Sequence, residues 1–414
     1  MASTKSAARS KNRFAKPFTQ QEAIPEAAIE RAIEIMRGGR LHRYNVADGE
    51  ISEAALLEQE FAAYQGSRYC IACTSGGYGL HVAMRAAGLK PGDKVLANAY
   101  TLAPVPGAIH NAGGIPVFVE IDRDYHIDIA DLETKAGASG AGFLMLSHMR
   151  GHIAEMEAIV EICERYNITM IEDCAHTMGA RWNGKRSGNF GKAACFSTQT
   201  YKHINSGEGG LITTDDADLA ARAIIHSGSY MLYGRHGAAP DEDAFAKVRL
   251  ETPNYSGRMD NLRATLIRAQ LKDLDHQIAR WNDRYRVLET GLRAVNGIYL
   301  PTRAQHEAYV GSSIQFQAEA LTKETIPAFI ARCADRGVEL KWFGEDQPRA
   351  FTSRYDSWRY IEDLPVLPQT LEALAKTLDM RVPLTFTDDD CREIVAIIAD
   401  ETGEASAEQV GSDR

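Results

Sequence analysis

From about Tyr69 to Thr213, short apolar runs alternate with stretches whose apolar positions recur at helical spacing. Tyr69–Thr74 predicts a strand and Gly77–Ala87 a helix closed by Gly88. Lys90-Pro91-Gly92-Asp93 predicts a turn, followed by a strand over Lys94–Ala97, a short helix over Val105–Asn111 and a strand over Pro116–Val119. Gly142–Leu146, Met156–Tyr166 and Ile168–Glu172 continue as strand, helix and strand. Asn183-Gly184 sits between Ala180-Arg181-Trp182 and Lys185-Arg186-Ser187, a hairpin signal because both central residues tolerate positive φ. Strands and helices alternating in this way predict an α/β/α sandwich around a mostly parallel sheet. Ligands of such sheets gather at the carboxyl ends of strands. Asp173 and Thr74-Ser75-Gly76-Gly77 fall at such ends.

Beyond this region Met259–Asn282 has the apolar spacing of one long helix leading into a second, smaller α+β unit. That unit is expected to hold a strand near Ser313–Ala318, a helix over Ile326–Arg336 and a strand over Val338–Lys341. Helices over Thr370–Thr377 and Asp388–Ile398 complete it, the last opening on acids suited to a helix N-terminus. The expected organisation is a flexible basic tail over 1–25 and a large α/β domain over 26–265. A small domain over 266–400 and a polar tail over 401–414 follow.

Composition changes this picture little. A length of 414 residues with 44% hydrophobic and 25% charged residues is that of an ordinary globular protein. The net charge of −10 gives no support to a nucleic-acid surface. No apolar run approaches the length of a membrane span. Lys5, Arg9, Lys11, Arg13 and Lys16 precede the first acid, Glu22, which reads as a basic terminal tail rather than a transit peptide. Seven scattered cysteines fit a reducing cytoplasm. Cys70-Ile71-Ala72-Cys73 lies in a strand-like run with no second pair nearby, so neither a zinc site nor a redox motif is expected.

The chemistry-bearing residues lie around one lysine. Lys202 stands in a Ser- and Gly-rich turn, five residues after Ser197 and five before Gly207-Glu208-Gly209-Gly210. Single lysines are ordinarily solvated surface charges. Here Asp173 ends the strand upstream, with His176 three residues on. A lysine able to form a Schiff base and a carboxylate able to keep a pyridine nitrogen protonated are what pyridoxal 5'-phosphate (PLP) requires. Ser75-Gly76-Gly77-Tyr78-Gly79 lies between a strand and a helix, where free backbone N–H groups face an anion. It lacks the G-x-G-x-x-G spacing of a dinucleotide fingerprint.

Taken together, Thr74–Met84, Tyr100-Thr101, Ile171–Gly179, Phe196–Gly210 and Asn254–Leu271 resemble the DegT/DnrJ/EryC1/StrS sugar aminotransferases. The resemblance runs from about residue 30 to 400 and is most specific at Phe196–Gly210. That stretch matches the family's F-S-x-x-x-x-K followed by G-E-G-G. It implies fold type I, Lys202 as the Schiff-base lysine, Asp173 as the partner of the pyridine nitrogen and His176 near the phenolic oxygen. It also implies Ser197 on the phosphate and a homodimer with shared active sites. Three positions depart from the pattern. Gly77 stands where relatives carry a phosphate-binding Thr, which leaves Ser75, Gly76 and Gly77 to supply backbone donors. Leu102 occupies the place of the aromatic that stacks on the ring, so Tyr100 is the substitute considered. Ser256 sits where a cross-subunit Asn is expected, and Asn254 is the candidate to take over.

The expected reaction moves an amino group from Glu or Gln to a keto or aldehydo sugar, which could be nucleotide-linked, a sugar acid or a cyclitol. Cell-surface polysaccharide or secondary-metabolite biosynthesis is the expected setting. A deoxysugar dehydratase is the first alternative, because His replaces Lys in part of that branch and His203 follows Lys202. A non-catalytic PLP-binding regulator is the second. Tyr230–Gly237, Gly311–Ser313 and Lys341-Trp342-Phe343-Gly344 are the loops nominated for substrate choice.

Overall fold

The computed structural model describes residues 12–412, with side chains described through residue 405. Its first nine strands are β1 (Tyr69–Cys73), β2 (Lys94–Asn98), β3 (Ile115–Val119), β4 (Phe143–Ser147), β5 (Thr169–Asp173), β6 (Arg181–Trp182), β7 (Lys185–Arg186), β8 (Ala193–Ser197) and β9 (Gly210–Thr214). Seven of them form one sheet in the order β1-β9-β8-β5-β4-β2-β3. β8, β5, β4, β2 and β3 run parallel, and β9 runs against both its neighbours. This is the α/β arrangement around a mostly parallel sheet that the alternation predicts.

Both faces of the sheet are covered, which explains why its strands are apolar throughout rather than alternating. Ile71, Phe143, Met145 and Ile212 face one core. Leu144, Leu146 and Met170 face a second, and Cys70, Ala72, Phe196 and Leu211 a third. Period-two alternation therefore sends Cys70 and Cys73 to opposite faces. Both are free and buried, and burial pushes the Cys73 thiol up to about 12. The hairpin β6–β7 turns through Asn183 and Gly184 at φ of 47° and 78°, as the Asn-Gly pair predicts.

The second sheet is antiparallel, with β10 (Ile298–Tyr299), β12 (Ser313–Ala318), β14 (Thr377–Arg381) and β13 (Lys341–Trp342) adjacent in that order. β11 (Glu307–Ala308) pairs instead with β6. The expected long helix is two, Asn261–Leu271 and Leu274–Arg293. The break lets one stripe serve two cores: Ala264, Ile267, Leu271 and Leu274 pack with the large sheet, while Tyr285, Leu288 and Leu292 pack with the small one. The domain boundary expected after residue 265 falls inside the first of these helices.

Both expected tails differ from expectation where they are described. Residues 1–11 lie outside the described residues, but Phe14 and Phe18 are buried against Phe386 at ring separations of 5.0 Å, and Lys16 pairs with Asp390. Two aromatics spaced four apart outweighed the basic composition. At the other end, helix Asp388–Ser412 runs past residue 401. Glu401 is held by Arg332 and Arg336 at 3.1 and 3.0 Å, and Ala405 joins the core. The helices Glu26–Gly38 and Glu53–Gln65 and the strand β14 were not anticipated. Among the described residues no helix is long and apolar enough to cross a membrane.

Helix Glu53–Gln65 carries Glu58, fully buried and paired bidentately with Arg43 at 2.7 Å and with His236 at 3.0 Å. Burial alone would raise its pKa, but the Arg43 charge and these hydrogen bonds outweigh burial and hold it well below the carboxylate range. Such a group stabilises the fold above its unfolded pKa, and the contribution is lost as pH falls below it. Replacing Glu58 by Ala strands the Arg43 guanidinium, at an expected cost of about 3–5 kcal/mol. Urea denaturation at pH 7 checks this, and a loss below about 1 kcal/mol would refute the pairing.

Candidate active site

The site lies at the carboxyl ends of β5 and β8 and the start of helix Gly76–Ala86, around a cavity of about 1000 Å³. Ser75, Gly76, Gly77, Ser197, Lys202 and Asn254 all line it. Ser75 caps the helix, its hydroxyl accepting from the Tyr78 N–H at 3.1 Å. The next N–H groups, of Gly76 and Gly77, open the first turn, where no intrahelical acceptor exists. The glycines here are set by close approach. A Cβ on Gly76 would lie 2.9 Å from Ser197 Cβ, and one on Gly210 only 2.3 Å from the Ser75 carbonyl. The Gly207–Gly210 run, readable as a simple turn, thus lets β9 pass beneath the helix start.

Lys202 follows β8 on a short turn, its N–H donating to the Gln199 carbonyl at 2.8 Å. Its Nζ lies 2.9 Å from Nε2 of His176. Burial pushes the ammonium down to about 7; Arg150 and Arg381 add to this, against the pull of Asp173 and Asp379. Burial, Lys202 and Arg150 also hold the His176 imidazole well below its ordinary pKa, so it is neutral. Lys202 is therefore poised to exchange a proton near neutral pH.

Asp173 ends β5, level with Ser147 on β4 and Cys195 on β8. One carboxylate oxygen accepts from the Ser147 hydroxyl at 2.9 Å, and Ser147 in turn accepts from Thr101 at 2.8 Å. The other oxygen accepts from the Ala175 N–H. Its neighbour Glu172 points the opposite way and serves structure. It accepts from the N–H groups of Gly188, Phe190 and Gly191 and sits 3.1 Å from His148. His148, Glu172 and Cys174 form a cluster tight enough for a metal ion. Glu172 is already spent on those backbone donors.

The structure separates some of the expected residues. Tyr100 does not line the cavity. It is buried against Phe343 and Tyr125, at ring separations of 5.0 and 5.3 Å, while Leu102 lines the cavity instead. Both residues lie past the end of β2, in irregular backbone where no pleat keeps i and i+2 on one face. Asn254 reaches the mouth, its side-chain oxygen accepting from the Tyr230 N–H at 3.0 Å. Ser256 accepts from Arg258. His203 turns away, with Nε2 3.0 Å from Ser312 and its ring against Trp281. Of the nominated loops, only Ser312 and Ser313 approach Lys202, lining a narrow recess behind it.

Four residues missed by sequence reading matter here. Ser147 and Thr101 position Asp173, and Arg150 and Arg381 line both the cavity and the recess. Thr101 lay within the resembling stretch. No local signal marked the other three, because each gains its role only by pairing across elements.

The family model of the DegT/DnrJ/EryC1/StrS aminotransferase family matches residues 23–399. The GDP-perosamine synthase of Caulobacter vibrioides is 35% identical over 230 residues, 54% of this chain and 57% of that protein. The pleiotropic regulatory protein of Geobacillus stearothermophilus is 34% identical over 232 residues, 56% of this chain and 58% of its own. The matched part thus spans little more than half the length of these relatives. The crystal structure of 3-amino-5-hydroxybenzoic acid synthase superposes with a TM-score of 0.80 at 25% identity, covering 95% of this chain and 100% of that one.

Proposed function

The chain belongs to the DegT/DnrJ/EryC1/StrS aminotransferase family, and from that premise we propose that it is a PLP-dependent aminotransferase acting on a keto or aldehydo sugar. The observation that carries the reading is Lys202, a depressed-pKa amine on the wall of a large cavity that the helix start at Gly76 and Gly77 also lines, with Asp173 near enough to act on its charge. This donor set fits the cofactor. Gly76, Gly77 and Ser197 would hold the phosphate, Asp173 the pyridine nitrogen, and Lys202 the aldehyde carbon. When bound, PLP supplies an electron-accepting ring and an aldehyde that exchanges amino groups.

The protein's own contribution is proton handling and orientation. Neutral His176 receives a hydrogen bond from Lys202 and fixes the direction of its Nζ. Lys202, once released by an incoming amine, carries the proton lost from the donor carbon. The hydroxyl chain from Thr101 through Ser147 keeps Asp173 from rotating. The dehydratase alternative would favour a histidine facing the cavity, whereas His203 is turned to Ser312. A shared-site homodimer is supported by Tyr230 and Tyr255, exposed at 60% and 68% beside Asn254 at the mouth.

The test mixes purified protein with PLP and a panel of amino donors while following the cofactor absorbance. Conversion by Glu or Gln, with formation of the matching oxo acid, supports transamination. Conversion by no donor would refute it. A pH prediction accompanies it. The free amine of Lys202 is the nucleophile, so PLP uptake should rise as its proton leaves, with a midpoint near 7 rather than near the ordinary lysine value. Stopped-flow absorbance from pH 5.5 to 10 reads this directly, and a midpoint above about 9 would contradict the burial argument.

A further inference from the structure

We propose that Phe351 is a specificity-determining residue, its ring the plane against which the acceptor lies beside Lys202. A closed-ring ketone, pyranose or cyclitol, is then taken in preference to an open-chain sugar. The inference rests on the aminotransferase reading for the position of the reacting amine.

Phe351 stands at the tip of a two-residue turn in the segment between β13 and helix Pro368–Ala375. Arg349 and Thr352 exchange both backbone hydrogen bonds, at 3.1 and 3.0 Å, which closes the turn on Ala350 and Phe351. Tight two-residue turns of this kind call for positive φ at their first position. Ala350 takes it at 52°, where glycine would do so without steric cost. Thr352 and Ser353 are buried on the return limb, so the turn is anchored while the ring projects. The ring lines the cavity, edge-on to the ring of Tyr201 at 6.4 Å, and Tyr201 is the residue before Lys202.

What holds the ring is charge rather than a core. Lys341 Nζ lies 5.0 Å from its centroid and the Arg381 guanidinium 5.2 Å, Arg381 itself being stacked on Tyr201 at 3.7 Å. Phe351 joins none of the apolar cores described, and 46% of its surface stays exposed. The other aromatic of this segment on the cavity wall, Trp358, is different. It packs against the core of the large sheet and stacks on Tyr360, so the fold itself accounts for it. A large apolar ring left half-open in a cavity gains by being covered. From the large domain, Leu102, Ala103 and Pro104 line the same cavity and are apolar as well. A pyranose or cyclitol offers flat faces of C–H groups with its hydroxyls around the rim, which suits apolar walls with few polar groups. Glu and Gln are acyclic and offer no such face. The plane at Phe351 therefore serves the acceptor half of the reaction and not the donor half.

The two halves of the reaction are read separately on the full chain supplied with PLP. Single-turnover absorbance follows conversion by Glu and Gln, by the ring amines glucosamine and scyllo-inosamine, and by glucosaminitol, the open-chain reduction product of glucosamine. Both ring amines should react at least about tenfold faster than the open chain at equal subsaturating concentration. Phe351→Ala should slow the ring amines about tenfold through weaker binding, with the limiting rate unchanged and conversion by Glu or Gln within about twofold of wild type. Phe351→Tyr keeps the plane and should keep the preference. Calorimetric titration with scyllo-inositol and sorbitol makes the same comparison without turnover: the ring should bind more tightly, and Phe351→Ala should erase the difference. Equal reactivity of glucosamine and glucosaminitol, or no reaction of either ring amine, would overturn the role. So would a Phe351→Ala variant that leaves every rate unchanged, or one that slows donor and acceptor halves alike. Failure of the aminotransferase reading would show separately, as wild-type protein that no amino donor converts.

Discussion

Lys202→Ala is expected to reduce transamination by at least about 10³-fold, because in the proposed reaction one side chain would both anchor the cofactor and move the proton. Lys202 is the amine on the cavity wall brought within 2.9 Å of a neutral imidazole, and its neighbour His203 cannot substitute from its place against Trp281. Borohydride reduction of the PLP-loaded protein, followed by peptide mass spectrometry, should place the pyridoxyl label on Lys202 in the wild type and abolish it in the variant. A small amine such as ethylamine should restore part of the activity, since it replaces the lost base without the tether. A stoichiometric reducible label persisting in Lys202→Ala would sink the assignment.

Asp173→Ala is expected to cost about 10²–10³-fold in kcat/KM, the range for losing one buried charge-assisted contact of roughly 3–4 kcal/mol. The carboxylate is 8% exposed and held at both oxygens, so it is fixed in direction before any ligand arrives. With PLP bound, its charge would favour the protonated pyridine, the form in which the ring serves as an electron acceptor. Asp173→Asn keeps the shape and removes the charge. It should lose nearly as much activity while retaining much of the PLP affinity, and equilibrium dialysis separates the two effects. Ser147→Ala only releases one oxygen and should cost about tenfold. If Asp173→Asn were as active as wild type, the charge would have no part in the chemistry.

Much of the fold was legible from the chain itself. The strands from β1 to β5 and the Asn-Gly hairpin declared themselves through apolar runs bounded by turn residues, which are local properties of the backbone. Likewise Lys202, Ser197 and the Gly-rich segments stood out because their spacing along the chain is what their chemistry needs. Phe14 and Phe18 show the limit of composition. A basic segment reads as a tail until its aromatics find Phe386, more than 360 residues away. The split at Lys272-Asp273 was hidden for a related reason. Apolar spacing reports one stripe and does not say that two cores share it.

Sequence by itself therefore determined the alternation of strands and helices, the family, and Lys202 and Asp173 as the candidate residues. Tertiary structure alone decided which of two adjacent acids stands near Lys202. Strand alternation sends Glu172 to three backbone N–H groups and leaves Asp173 at the open end. It also decided that Leu102 rather than Tyr100 lines the cavity, and that Arg150 and Arg381 stand beside Lys202. The reason is range: hydrogen-bonding periodicity and turn chemistry act over a few residues, whereas burial and charge at a site come from elements hundreds of residues apart.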